Sequence, residues 1–205
     1  MKALVSPSMM CADILRLKEI IDEFEEKRID YLHIDVMDGV FVPNFCLGTD
    51  FCRQIKKATS IPLDIHLMIA QPEKKLDAFP FGEGDIVSVH LESSENIKEA
   101  LSEIKRAGAR AFLAVNPDTP VENVSGYLDL IDGVLLMTVY PGFAGQKMVP
   151  GSLERIEKLR RILDENGAQE KRIEVDGNVN FEKAPLMRKA GADMLHHHFP
   201  RPRIS

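Results

Sequence analysis

The stretch Tyr31-Leu32-His33-Ile34-Asp35-Val36-Met37-Asp38-Gly39 sets an imidazole and a carboxylate two residues apart. Side chains of an extended chain alternate between faces. His33 and Asp35 therefore share one face with Tyr31 and Met37, while Leu32, Ile34 and Val36 take the other. Nitrogen and oxygen donors on one side of a strand suit a divalent metal. The same pair would equally serve as a hydrogen-bonded structural contact, so recurrence has to decide. Residues 62–69 put Asp64, His66 and Met68 opposite Leu63, Ile65 and Leu67. Residues 85–91 carry Ser88 and His90, and residues 172–177 carry Glu174 and Asp176. Strands buried on both faces normally read as near-continuous apolar runs. A buried ionisable group is costly unless it is paired or binds metal. His33, Asp35, His66 and Asp176 offer two imidazoles and two carboxylates, a set that balances a 2+ ion with borderline preference among Zn²⁺, Fe²⁺, Mn²⁺ and Co²⁺. An unmetallated hydrogen-bonded cluster is the other use of these residues.

The loops add a candidate anion site. Pro141-Gly142-Phe143-Ala144-Gly145-Gln146 follows the apolar run 133–139, and its glycines let backbone N–H groups approach an anion closely. Gly177-Asn178-Val179 follows the Glu174/Asp176 strand directly, and Ser8 ends the first β-rich run.

These residues need a frame, and the chain supplies one by alternating short β-rich runs with amphipathic segments. Strands are predicted near residues 3–10, 31–39, 62–69, 85–91, 110–116, 133–139, 172–177 and from 192 onward. Between them come helices: 13–27 N-capped by Asp13 with Ile14, Leu17, Ile20, Ile21 and Phe24 on one face, 49–58, a short one from Pro72, 96–107, 120–127, 152–166 and 181–190. Seven βα units and an eighth strand, unbroken by any linker, predict an α/β fold of the (β/α)₈ TIM-barrel type over residues 1–195. A doubly wound open sheet is the alternative, but it usually has fewer strands and a glycine-rich first turn, which is missing here. In a barrel the polar strand ends meet at the C-terminal mouth, where active sites of this fold lie.

Composition limits the function. The chain has 205 residues, 44% hydrophobic and 28% charged, as in a soluble globular protein. A net charge of −6 argues against nucleic acid or an acidic membrane surface. Cys11, Cys46 and Cys52 are odd in number and lack CxxC spacing, which suits reduced thiols in a cytoplasm. There is no signal-like N-terminus and no apolar run of about 18 residues.

Several motifs resemble the ribulose-phosphate 3-epimerase family. They are Ser6-Pro7-Ser8, His33-Ile-Asp35-Val-Met37-Asp38-Gly39 with Phe41-Val-Pro43-Asn44, His66-Leu-Met68 and Asn116-Pro-Asp-Thr-Pro120. Met137-Thr-Val-Tyr-Pro-Gly142-Phe-Ala-Gly145-Gln146 and Glu174-Val-Asp176-Gly177 complete the set. They run in the family's order from residue 3 to about 195. Met10-Cys11, Ala144 and Asn178-Val-Asn180 resemble the branch acting on D-allulose 6-phosphate. The resemblance implies one divalent metal on His33, Asp35, His66 and Asp176. It further implies acid/base roles for Asp35 and Asp176 on opposite faces of a sugar phosphate. Substrate contacts would come from Ser8, His66, Gly142, Phe143, Ala144, Gly145 and Gly177. Met37, Met68 and Met137 would line the site, unless each is simply barrel core. The reaction would be inversion at C3 of D-ribulose 5-phosphate or D-allulose 6-phosphate through an enediolate.

The end of the chain departs from that pattern. After Leu195 it reads His196-His-His-Phe-Pro-Arg-Pro-Arg-Ile-Ser205, with no glycine for a second phosphate loop and with prolines that forbid a helix. Residues 196–205 are thus expected to be an atypical tail without the eighth helix. Leaving a few hundred Å² of apolar seam wet would cost on the order of several kcal/mol at roughly 25 cal/mol per Å². Either a homo-oligomer covers the seam, or the chain is marginally stable and prone to aggregate. A catalytically impaired variant that only binds metal or sugar phosphate is the alternative function.

Overall fold

A computed structural model describes residues 4–196. Eight parallel strands form its sheet: β1 (Leu4–Val5), β2 (Leu32–Asp38), β4 (Leu63–Met68), β5 (Ile86–His90), β6 (Arg110–Val115), β7 (Gly133–Met137), β8 (Arg172–Asp176) and β9 (Met194–Leu195). The two-residue β3 (Phe45–Cys46) pairs antiparallel with the end of β2 and was not foreseen. β1 pairs with β9, and the segment after β1 reaches β2 through the His33 N–H to Pro7 carbonyl bond (3.0 Å) and a parallel Ser8–His33 bridge. The sheet therefore closes into the (β/α)₈ barrel that the βα period implied.

The expected strand over 3–10 is shorter in the structure because Pro7 has no N–H to give to a ladder. Residues Met9–Cys11 turn instead into a 3-10 helix. Asp13 does cap, accepting from the Leu15 N–H at 3.0 Å, but it opens a 3-10 turn over Ile14–Arg16 ahead of α1 (Leu17–Glu26). Ile14 consequently lies exposed and leaves the apolar face, whereas Ile21 and Phe24 are buried as expected. α2 (Thr49–Ala58), α3 (Ile97–Arg106) and α4 (Ser152–Glu165) fall where predicted, and α5 (Ala184–Ala190) begins later than position 181. The elements near Pro72 and Pro120 are 3-10 helices, Pro72–Lys74 and Val121–Leu130. Among the described residues no helix follows β9. The expectations for positions 197–205 lie outside the described residues.

Two hydrophobic layers hold the frame. Outward residues of the strands, such as Ile34, Ile65, Val87, Leu113, Val134 and Val175, pack with Ile21, Ile55, Leu101, Ile104, Leu159 and Leu163 of the helices. Inside the barrel, Tyr31, Ile86, Phe112 and Met194 close the N-terminal end. Above that plug the interior turns polar: His33, Asp64, His66, Ser88, His90, Glu174 and His196 are all completely buried. No helix among the described residues is long and apolar enough to cross a membrane.

Candidate active site at the C-terminal mouth

Parallel register sets the depth of each polar side chain. His33 pairs with Asp64, Asp35 with His66 and Met37 with Met68 between β2 and β4, and Met137 pairs with Asp176 between β7 and β8. The result is a mouth in which one potential donor atom each from His33, Asp35, His66 and Asp176 all lie within 4.8 Å of one another. Asp35 is the hub. Its Oδ1 is 3.1 Å from His33 Nε2 and 3.3 Å from His66 Nδ1, and its Oδ2 accepts from Ser8 Oγ at 2.8 Å. His66 Nδ1 also faces Asp176 Oδ2 at 3.9 Å.

The far sides of the imidazoles are equally occupied. His33 Nδ1 is 2.7 Å from Asp64 Oδ2, which also accepts from Ser6 Oγ at 2.9 Å. An ionised carboxylate only accepts, so Nδ1 carries a proton for Asp64, and Nε2, facing Asp35, either carries a second proton or shares a cation with that carboxylate. That arrangement calls for positive charge, a proton or a cation, between Nε2 and the Asp35 carboxylate, since a lone pair set against a buried carboxylate is repulsive. Burial pushes the Asp35 carboxyl up, but His33 and His66 outweigh it and hold it well below the usual carboxylate range. Burial likewise disfavours a charged His33, yet Asp35 and Asp64 together raise it well above an ordinary imidazole. Before any metal is bound, the site thus draws a proton to where a cation would sit.

Deeper in the barrel lies a second group that sequence reasoning discounted. His196 is completely buried, bonded to Glu174, 3.4 Å from Asp64 Oδ2, with its ring centroid 3.5 Å from that of His33. Burial and the neighbouring Asp64 raise Glu174 well above the usual carboxylate range, and burial together with His33 depresses His196. Both shifts favour the uncharged form of each partner. His33, Asp64, Glu174 and His196 also converge within 4.8 Å. The His33 nitrogen on this side donates to Asp64, however, so it has no lone pair to give a second ion. The signal for His196 was its place directly after a strand; reading it as part of a tail concealed it.

A cleft opens above the cluster, lined by Asp35, Asp176, Met10, Met37, Met68, Met137 and Val139, and by the loop from Gly142 to Gln146 with Gly177 and Asn178. Met37, Met68 and Met137 line this cleft and are buried. Gly142, Phe143, Ala144, Gly145 and Gly177 also line it, while Ser8 stands behind Asp35 as its hydrogen-bond donor. Gln146 shapes the loop by donating from Nε2 to the Phe143 carbonyl at 2.8 Å and to the Tyr140 carbonyl. Asn44 ties it to the loop after β2 by donating to the Gly142 carbonyl at 2.7 Å. Met10, Gln146 and Asn178 are lining residues that the motif reading left without a role.

Comparison with known proteins follows the same lines. A model of the ribulose-phosphate 3-epimerase family matches residues 4–197. A ribulose-phosphate 3-epimerase of Bacillus subtilis (strain 168) is 43% identical, covering 93% of this chain and 88% of its own.

This chain belongs to the ribulose-phosphate 3-epimerase family.

It is accordingly an isomerase, an epimerase acting on carbohydrate. The family's ribulose-phosphate 3-epimerase of Methanocaldococcus jannaschii is 40% identical over 93% of this chain and 80% of that one. Among solved structures, the 3-keto-L-gulonate-6-phosphate decarboxylase of Vibrio cholerae superposes with a TM-score of 0.69 at 9% identity, covering 97% of this chain and 89% of the other. A 3-hexulose-6-phosphate synthase gives 0.62 at 18%, covering 97% and 90%. At such identities these two show the barrel alone.

Proposed function

We propose that this epimerase inverts C3 of a ketose phosphate, D-ribulose 5-phosphate or D-allulose 6-phosphate, with Asp35 and Asp176 as the acid/base pair. The observation that carries the reading is the meeting of these two carboxylates in one cleft from β2 and β8, strands that flank β1 and β9. A C3 proton lies α to the C2 ketone. Asp35, held ionised by His33 and His66, takes that proton as base. The electron pair moves into an enediolate, and Asp176 returns a proton to the opposite face. Asp35 leaves the cycle protonated and Asp176 ionised, so exchange with solvent resets the pair, and the reverse reaction swaps their roles.

His33, Asp35, His66 and Asp176 would hold one divalent ion, Zn²⁺, Fe²⁺, Mn²⁺ or Co²⁺, which when bound stabilises negative charge developing on the substrate. Met37, Met68 and Met137 present a soft wall that keeps water from the intermediate. For the phosphate, the N–H groups of Phe143, Ala144 and Gly145 support the loop as binder, since they donate to no backbone carbonyl of the described residues. Exposed Ile14 and Leu15, 68% and 91% accessible, favour a homo-oligomer. Cys11, Cys46 and Cys52 form no disulfide with one another, which favours a reducing cytoplasm.

Proton NMR in D₂O tests the chemistry on metal-reconstituted protein with each sugar phosphate separately. Deuterium should enter at C3, and Asp35→Asn should cut its entry by at least about 10²-fold. The faster substrate identifies the branch. A folded, metal-loaded protein that exchanges neither substrate would instead be the binding-only variant.

A further inference from the structure

His66 has no carboxylate behind it as His33 has. Its outer nitrogen, Nε2, is 2.8 Å from Nε2 of a second histidine, His90 at the end of β5. The rings stack with centroids 4.9 Å apart, and both side chains are completely buried. On its far side His90 Nδ1 faces Glu92 Oε2 at 3.4 Å. Glu92 is itself pinned, accepting at Oε1 from the Asn116 N–H at 3.0 Å and from Thr119 Oγ1.

Only one proton can occupy the gap between two imidazole nitrogens 2.8 Å apart. If His90 Nδ1 held the lone pair, it would face the Glu92 carboxylate, an acceptor against an acceptor. Protonating Nδ1 removes that repulsion and leaves the lone pair of a neutral His90 on Nε2. The proton between the rings then belongs to His66 Nε2. His66 Nδ1 is left as a lone pair, aimed at Asp35 Oδ1 and Asp176 Oδ2.

We infer that Glu92 and His90 are positioning residues for the metal: through two imidazoles in series, Glu92 sets the tautomer of His66 so that Nδ1 is the ligand atom. His33 receives the same instruction directly from Asp64. A carboxylate behind a ligating histidine is a common device for fixing ring and tautomer. Here the instruction passes through one more ring, because Glu92 sits just beyond His90 at the end of β5, the strand beside the β4 of His66. The inference deepens the proposed metal reading and rests on it.

The test reads metal binding and proton positions, not turnover. Apoprotein would be titrated with Zn²⁺ against a competing chelator. Wild type should bind one equivalent; a wild type that binds none overturns the metal reading itself. Given wild-type binding, His90→Phe should weaken affinity 10–100-fold. His90→Gln, whose amide oxygen can still accept from His66 Nε2, should recover most of it. Glu92→Gln keeps an acceptor for the Asn116 N–H but offers His90 an N–H as well, and should weaken binding between those two. Equal affinity in all variants overturns the relay and leaves the metal site standing. Histidine ¹⁵N shifts of Zn²⁺-loaded wild type decide the matter without any variant. The relay requires a protonated Nδ1 on His90 and a protonated Nε2 on His66, and a protonated Nε2 on His90 overturns it.

Discussion

Gly177 follows Asp176 directly, so its backbone sets the angle at which that carboxylate enters the cleft. It has φ +112°, a region that L side chains rarely adopt, and a Cβ built there would meet Val139 Cγ2 at 2.6 Å and Thr138 Oγ1 at 2.9 Å. Gly177→Ala therefore carries two costs. The backbone conformation contributes about 1–2 kcal/mol. Pressing a methyl into a filled space adds about 1–3 kcal/mol. Neither neighbour yields easily, since Val139 and Thr138 are both buried and Thr138 Oγ1 donates to the Asp176 carbonyl at 3.0 Å. The sum, about 2–5 kcal/mol, is a large part of a domain's stability. In a chain of this size it should lower Tm by roughly 4–20 °C. Gly167→Ala is the control: φ is +71° with nothing within 4 Å of the added Cβ, so it bears the backbone cost alone. Urea denaturation of both variants beside wild type isolates the packing share as their difference. Turnover should separate them further, because a displacement of about 1 Å at Asp176 is worth about 10²-fold in rate, whereas Gly167 lies beyond the end of α4. Equal losses of stability and full activity in both would refute the claim that Val139 and Thr138 fix the course of the chain behind Asp176.

Further outcomes follow from the loops. Asp38 accepts from the N–H groups of Val40, Phe41 and Ala70 at 2.9, 3.0 and 2.9 Å and from Lys75 Nζ at 2.9 Å. Burial pushes its carboxyl up, but Lys75 and those N–H groups outweigh it and hold it well below the usual range. A depressed pKa contributes stability that is complete above the unfolded value near 4 and is lost as pH falls below it. The urea midpoint of Asp38→Asn should thus lie below wild type at pH 7, and the gap should narrow, without closing, as pH falls from 4 to 3; a gap that is independent of pH would contradict the assignment. Gln146→Ala frees the Phe143 and Tyr140 carbonyls and loosens the loop. It should raise KM for a sugar phosphate while leaving kcat within a few-fold, and a loss confined to kcat would place Gln146 in the chemistry instead.

What could be read from the residue string was whatever repeats along it. Alternation at period two put His33 with Asp35, Asp64 with His66 and Glu174 with Asp176 on interior faces, and the βα rhythm identified the barrel, because each is a local consequence of strand geometry. The motifs around Gly142 and Gly177 marked loops that do line the cleft. Period two cannot tell how deep a side chain sits or what stands across the barrel from it. Register decided that: His33 lies level with Asp64, and Asp35 with His66. Closure decided the rest. β9 pairs with β8 and sets His196 beside Glu174, and only when β9 also joins β1 does His196 come to lie against Asp64 and His33. Only when β5 joins β4 does His90 reach the back of His66. Those partners are 22 to 31 residues apart or more across the chain, and nothing local specifies a contact at that separation. The residue types that could do the chemistry were written in the strands; which nitrogen faces which oxygen was settled by packing.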